Sequence, residues 1–354
     1  NVSPLGTPRS VTDAIERALP ELYRYPDPYC RTLVQTISEY EGVPKNFVLC
    51  GNGASELIYA YCGAVRPKRA MELAPTFSEY SLALRRTGCE VMRFALKQEE
   101  NFDLRENFLP ILAREKIDAL FLCNPNNPTG YVYSEEEYAQ LRDIVLRHDL
   151  YLMADEVYRE FCYDGTQCIS VMNLKGIEQN VVMIDSVSKR YSMCGVRLGT
   201  LVSRNKAIIA AALRMGQARL CPPYLAQVAA EAALDTPASY FREVHDEYAA
   251  RRNCIVEALN KIEGVYCPMP KGSFYSIVKL PIDSSERFAQ WLLEEFEYKG
   301  QTVMLAPATG FYASCYLGHD EVRIAYVIKR EDLLAAAECL REALKVYPGR
   351  KTTR

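Results

Sequence analysis

The chain has 354 residues, 49% hydrophobic and 25% charged, and its 42 basic and 45 acidic side chains leave a formal charge of −3. That length allows one large or two medium domains around a sizeable core, while the charge gives no electrostatic reason to expect nucleic acid or an anionic membrane as partner. The 3 histidines lie far apart and the 13 cysteines contain no Cys-x-x-Cys pair, which argues against a His-based metal site, a zinc knuckle and a thioredoxin-type motif.

Many unpaired cysteines fit a reducing compartment, and hence the cytoplasm. No apolar run reaches the length of a membrane span. The opening Asn1-Val-Ser-Pro-Leu-Gly6 has neither a basic segment nor an apolar one of the kind a signal peptide needs. It also lacks an initiator Met, as expected of a chain that begins inside a longer one or has lost its Met.

In chain order, the first recognisable element is the turn Cys50-Gly-Asn-Gly-Ala-Ser-Glu56, followed by an apolar stretch, Leu57 to Ala64, that reads as a helix. Glycines at a helix N-terminus can present backbone N–H groups to a phosphate. The dinucleotide fingerprint fails here, because Glu56 stands at its third glycine position. A plain turn accounts for the segment equally well.

The middle of the chain alternates apolar strands with amphipathic helices. Asp118 to Cys123, Leu150 to Ala154, Val181 to Ile184 and Leu198 to Val202 read as strands, and Glu135 to His148 as a helix. This pattern predicts an α/β fold with a mostly parallel sheet covered on both faces. Residues 237–262 carry a long helical pattern. Beyond it, Phe274 to Lys279 and Glu321 to Val327 read as strands, and Glu331 to Val346 as a closing helix stopped by Pro348-Gly349. The expected division is a large domain over 25–240 and a smaller α+β domain from 1–24 and 241–354.

Ligands of open α/β sheets bind outside the carboxyl ends of the strands, and there each middle strand is followed by a polar cluster. After the first comes Asn124-Pro-Asn-Asn-Pro-Thr-Gly130, a rigid turn whose composition alone supports only a tight connection. After the second comes Asp155-Glu-Val-Tyr158. A carboxylate at a buried strand end needs a cation, such as a protonated ring nitrogen, or serves as a helix cap. After the third comes Asp185-Ser-Val-Ser-Lys-Arg-Tyr-Ser192, with Arg197 eight residues beyond Lys189. A desolvated lysine near other cations loses its proton readily and attacks aldehydes. Ser186 and Arg197 are suited to hold a phosphate.

These motifs, taken in order with the later Glu321-Val-Arg-Ile-Ala-Tyr326, resemble the fold-type I pyridoxal phosphate (PLP) aminotransferases of class I and II over essentially the whole chain. The resemblance implies the following roles. Lys189 is the lysine that holds the cofactor as a Schiff base and shuttles the proton between substrate Cα and cofactor C4′. Asp155 keeps the pyridine nitrogen protonated. Asn127 and Tyr158 bond the ring 3′-oxygen. Ser186, Arg197 and the backbone of Gly53, Ala54 and Ser55 form the phosphate cup. Phe77 stacks on the ring or is a core aromatic. Tyr25 reaches the phosphate of the neighbouring subunit, so the active unit is a homodimer. Arg323 clamps the substrate α-carboxylate, with Asn127 beside it. A dicarboxylic substrate needs a second cation, for which Arg219 is a candidate. The resemblance implies no metal.

The resemblance changes along the chain. The N-terminal third (Tyr25-Pro-Asp-Pro28, the Gly-Asn-Gly-Ala-Ser-Glu turn, Phe77-Ser-Glu-Tyr80) is similar to threonine-phosphate decarboxylase and histidinol-phosphate aminotransferase. The part after about Thr129 (Gln217-Ala-Arg-Leu220, Gly300-Gln-Thr-Val303, Ala306-Pro-Ala-Thr-Gly310) is similar to bacterial aspartate-type aminotransferases. A natural member between subfamilies and a recombined chain both account for this. The expected activity is transamination between an L-amino acid and a 2-oxo acid, of aspartate-type or broad specificity. The alternatives are decarboxylation of a phosphorylated amino acid and histidinol-phosphate transamination. A DNA-binding regulator is disfavoured by the lack of room for a helix-turn-helix before Tyr25 and by the acidic charge, and an NAD enzyme by the failed glycine fingerprint.

Overall fold

A computed structural model describes residues 5–102, 104, 108–313 and 316–351. Seven strands form the main sheet: β1 (Val48–Gly51), β2 (Arg69–Ala74), β3 (Glu90–Ala95), β4 (Ala119–Cys123), β5 (Tyr151–Asp155), β6 (Val181–Ser186) and β7 (Gly199–Val202). Their order is β1-β7-β6-β5-β4-β2-β3. The five strands from β6 to β3 run parallel, and β7 is antiparallel to both of its neighbours.

The central strands read as continuous apolar runs because both their faces are covered. Side chains alternate across the sheet: Ala119, Phe121 and Cys123 of β4 join one apolar cluster, and Leu120 and Leu122 join the other. The Glu135–His148 helix starts where the sequence supplies a reciprocal cap. Ser134 Oγ accepts from the Glu137 N–H at 3.2 Å, and the Glu137 carboxylate accepts from the Ser134 N–H at 2.7 Å.

Strands β2 and β3 carry no clear apolar pattern in sequence. Glu72 stands in the middle of β2 and is buried, paired with Arg93 of β3 at 2.7 Å. An ion pair between adjacent strands interrupts the hydrophobic run that would mark either strand alone.

A second sheet contains β8 (Tyr275–Lys279), β9 (Ala306–Pro307) and β10 (Glu321–Ala325) in the order β8-β10-β9, all antiparallel. Its buried Val278 and Val322, and Tyr326 just after β10, share one apolar cluster with Met153, Ile184 and Leu201 of the main sheet. The two sheets are therefore joined by a continuous core. The Arg9–Ala18 helix buries Val11 among Tyr191, Met193, Ala229 and Ala233, and Tyr240 donates to the Gly6 carbonyl at 2.9 Å. Its apolar face matches the alanine-rich face of the Tyr224–Ala233 helix.

Candidate active site

At the carboxyl ends of β4, β5 and β6 lies a cavity of about 290 Å³. The chain reaches it by three short steps. Beyond β4, the rigid Pro-rich turn brings Asn127 to the wall. Asp155 ends β5 and Tyr158 follows it; Ser186 ends β6, and Lys189 follows within the short Val187–Arg190 helix. Arg323 of β10 closes the far side.

Asp155 is 3% exposed. Its Oδ2 accepts from the Tyr80 hydroxyl at 2.7 Å and its Oδ1 from the Val157 N–H at 3.3 Å. Burial lifts its pKa from 3.8 to about 6, against the lowering effect of these two bonds and of the Lys189 charge. Lys189 is shifted the other way. Burial, then the positive charges of Arg323 and Arg197, depress its amine, opposed by Cys194 and Asp155. Its Nζ lies 3.9 Å from Cys194 Sγ. One cavity thus holds a carboxylate that wants a cationic partner and an amine prone to lose its proton.

Opposite them, the backbone is shaped for an anion. Gly53 is the N-cap of the Ala54–Val65 helix, with φ of 89°. Ala54 and Ser55 line the cavity at that helix N-terminus, beside Ser186 and Arg197. A Cβ on Gly53 would fall 2.4 Å from Arg197 Nη2, and one on Gly199 would fall 2.7 Å from the Ala54 nitrogen. Gly53→Ala is therefore expected to lower stability by about 1–3 kcal/mol, through the left-handed φ and the displacement of Arg197. Urea denaturation of wild type and variant measures this, and equal stabilities would refute it.

Arg323 is held in place before any ligand arrives. Its Nη1 donates to Asn127 Oδ1 at 3.0 Å, and its guanidinium lies 4.3 Å from the Tyr275 ring centre and 4.8 Å from that of Phe311. Tyr158 lies with its hydroxyl 3.5 Å from that of Tyr275, and burial pushes its own pKa well up. Phe77 lines the cavity, edge-on to Tyr80 with ring centres 5.6 Å apart.

The structure thus brings together Ala54, Ser55, Phe77, Asn127, Asp155, Tyr158, Ser186, Lys189, Arg197 and Arg323, with Gly53 directly behind Arg197. Tyr25 is not among them: it is 88% exposed on the surface. Arg219 is elsewhere as well. Both its Nε and Nη2 contact the Glu56 carboxylate, beside a separate crevice. Tyr80, Tyr275, Phe311 and Cys194 were not foreseen. Tyr80 sits three residues after Phe77, on the spacing of one helical face. Nothing in the sequence marks the other three.

The raised value for Asp155 has a consequence for the protein without ligand. Its folded pKa lies above the unfolded 3.8, so folding takes up a proton, and stability falls as pH rises through roughly 4 to 6. Asp155→Asn is expected to melt higher than wild type at pH 8, by up to about 2–3 kcal/mol, with the gap closing near pH 4. Melting curves across that range check it, and a gap that widens on acidification would contradict it.

Among the described residues, no helix is long and apolar enough to cross a membrane, and no group of three or more His, Cys, Asp or Glu side chains is placed to hold a metal ion.

The chain matches the family described as aminotransferase class I and II over residues 1–340. It is 33% identical to the threonine-phosphate decarboxylase of Salmonella typhimurium over 238 residues, which are 67% of this chain and 64% of that protein. That match spans just under two thirds of the decarboxylase. It is 26% identical to the aspartate aminotransferase of Bacillus subtilis over 361 residues, covering 97% of this chain and 89% of the relative. Among solved structures, the aromatic aminotransferase from Pyrococcus horikoshii OT3 superposes with a TM-score of 0.88 at 26% identity, covering 97% of this chain and 94% of that one.

Proposed function

The chain belongs to the class I and II aminotransferase family, and we propose that it moves an amino group between an L-amino acid and a 2-oxo acid with pyridoxal phosphate held on Lys189. The observation that carries this reading is the pairing of opposite demands in one cavity: an amine with depressed pKa, a buried carboxylate with raised pKa, and an anion cradle at a helix N-terminus. A ligand with an aldehyde, a basic ring nitrogen and a phosphate answers all three.

Bound there, pyridoxal phosphate supplies an electron sink for the electrons left at the substrate Cα. The residues of the chain do the rest. Asp155, oriented by Tyr80 and the Val157 N–H, would hold a proton at the ring nitrogen. Tyr158 and Asn127 would bond the ring oxygen. Ser55, Ser186, Arg197 and the backbone N–H groups after Gly53 would take the phosphate, and Phe77 would cover the ring. Arg323 binds the substrate carboxylate in a fork, and Lys189 carries the proton from Cα. Holding the carboxylate on Arg323 leaves the Cα–H bond free to break, which favours transamination.

In this reading the main sheet belongs to a large domain over 25–240, and residues 1–24 and 241–354, with the second sheet, form a smaller one. The chain acts as a homodimer, with Tyr25 reaching the other subunit's phosphate. The exposed Leu19, Leu22, Tyr23, Tyr25 and Tyr29 support an interface there. No disulfide joins two cysteines among the described residues, which supports a reducing, cytoplasmic setting.

Specificity belongs to this reading too. Aspartate-type and broad specificity both remain within it, but Arg219, engaged by Glu56, is not the second cation for a dicarboxylate. The likeness to threonine-phosphate decarboxylase favours a second reading, decarboxylation of a phosphorylated hydroxy-amino acid. The test is to load the chain with pyridoxal phosphate and mix it with a panel of amino donors and with threonine phosphate. The proposal expects the bound cofactor's absorbance to convert to that of the amine form with at least one donor, and a 2-oxo acid to appear. Carbon dioxide from threonine phosphate without a 2-oxo acid would establish the second reading. No change with any donor would refute both.

A further inference from the structure

Beneath the cavity lies a second set of ionisable groups that the proposed reaction does not use. Arg190 is 4% exposed, and its guanidinium meets carboxylates from three separate segments. Nη2 donates to Asp185 Oδ2 at 2.6 Å, Nε lies 3.2 Å from Glu160 Oε1, and Nη1 lies 3.5 Å from Glu41 Oε1 at the end of the Arg31–Glu41 helix. Arg159 closes the network, with Nε 3.2 Å from Asp185 Oδ2 and Nη2 against Glu41 Oε1.

The chain places this network one residue away from the site at three points. Tyr158 faces the cavity and Arg159 the network; Ser186 faces the cavity and Asp185 the network; Lys189 faces the cavity and Arg190 the network. The cause on β6 is strand alternation. Val182 and Ile184 pack in one apolar cluster and Val181 and Met183 in the other, so Ser186 and Asp185 leave the sheet on opposite faces. The segment after Asp155, the strand before Ser186 and the turn with Lys189 are thus tied together from behind by two arginines.

We propose that Arg190 is a positioning residue, which with Arg159 fixes the separation between the Lys189 amine and the Asp155 carboxylate across the cavity. This rests on the reading of Lys189 and Asp155 given above. A buried guanidinium shared by three carboxylates resists displacement, because removing it leaves those carboxylates with Arg159 as their shared arginine in a low-dielectric site. Surface lysines and arginines give no comparable hold.

The test uses the full chain loaded with pyridoxal phosphate, comparing wild type with Arg190→Met and Arg190→Lys. In Arg190→Met, kcat for a reactive amino donor is expected to fall roughly 10- to 100-fold, because the reacting groups are misplaced. KM is expected to stay within about threefold, since Arg323 is untouched. The pH at which the bound cofactor's absorbance changes should move by about 0.5 unit or more, because Lys189 and Asp155 act on each other through their distance. Arg190→Lys keeps the contact with Asp185 and should recover part of both effects. A wild-type kcat and a wild-type absorbance–pH curve in Arg190→Met overturn the proposal, even with a lower melting temperature. If Arg190→Met does not fold, Glu160→Gln weakens one contact to Arg190, and Glu41→Gln weakens one to Arg190 and one to Arg159. Both must then shift kcat and the pH curve in smaller measure, and wild-type behaviour in both overturns it. Wild-type protein that never holds the cofactor on Lys189 would instead sink the underlying reading.

Discussion

Lys189→Ala is expected to fold, to keep its phosphate-binding groups, and to turn over amino donors at least about 10⁴-fold more slowly than wild type. The size follows from two roles placed on one atom. A positioned general base contributes on the order of 10²–10⁴-fold, and the amine proposed to anchor the cofactor is lost with it. No other lysine lines the cavity among the described residues, so no neighbour can take its place. The fold should survive, because the side chain removed is a partly buried amine whose own burial disfavours its charge. Two measurements check the expectation. Single-turnover kinetics should show the loss in rate, and borohydride reduction followed by peptide mapping should trap cofactor at Lys189 in wild type only. Turnover within tenfold of wild type, or trapping at another lysine, would end the assignment.

Arg323→Leu is the second large effect. It should reduce kcat/KM for amino acids by about 10²–10⁴-fold, which corresponds to roughly 3–5 kcal/mol of lost transition-state binding. The guanidinium is already seated between Tyr275 and Phe311 and bonded to Asn127, so the substrate meets a fork fixed in direction. Arg323→Lys should recover little, because an ammonium keeps the charge and loses the paired donors. A primary amine without the carboxylate provides the internal control: wild type and Arg323→Leu should handle it about equally. A variant that loses activity equally toward both donors would show that Arg323 supports the fold of the cavity and does not bind the carboxylate.

Much of this site was legible from residues in order. Strand β4 with its Pro-rich turn, β5 with Asp155 and Tyr158, and β6 with Ser186 and Lys189 are local statements. An apolar run of strand length followed by chemically unusual polar residues marks a strand end, and parallel strands put their ends on one side of a sheet. The Glu135–His148 helix announces itself through Ser134 and Glu137 for the same reason, since a cap is made by residues three apart. Strands β2 and β3 were not legible, because the Glu72–Arg93 pair forms only once two segments lie side by side.

The sequence by itself determined the list of candidate site residues, their order along the chain and the strands that carry them, because these depend on interactions between near neighbours. The tertiary structure alone decided who partners whom across large separations. It gave Asp155 the Tyr80 hydroxyl, seated Arg323 between Tyr275 and Phe311, withdrew Arg219 to Glu56, set the Arg9–Ala18 helix against Tyr224–Ala233, and put Arg190 among Glu41, Glu160 and Asp185. Charged and aromatic side chains have many possible partners of equal chemistry. Packing selects among them, since only the folded chain fixes which ones are buried together and must be satisfied there.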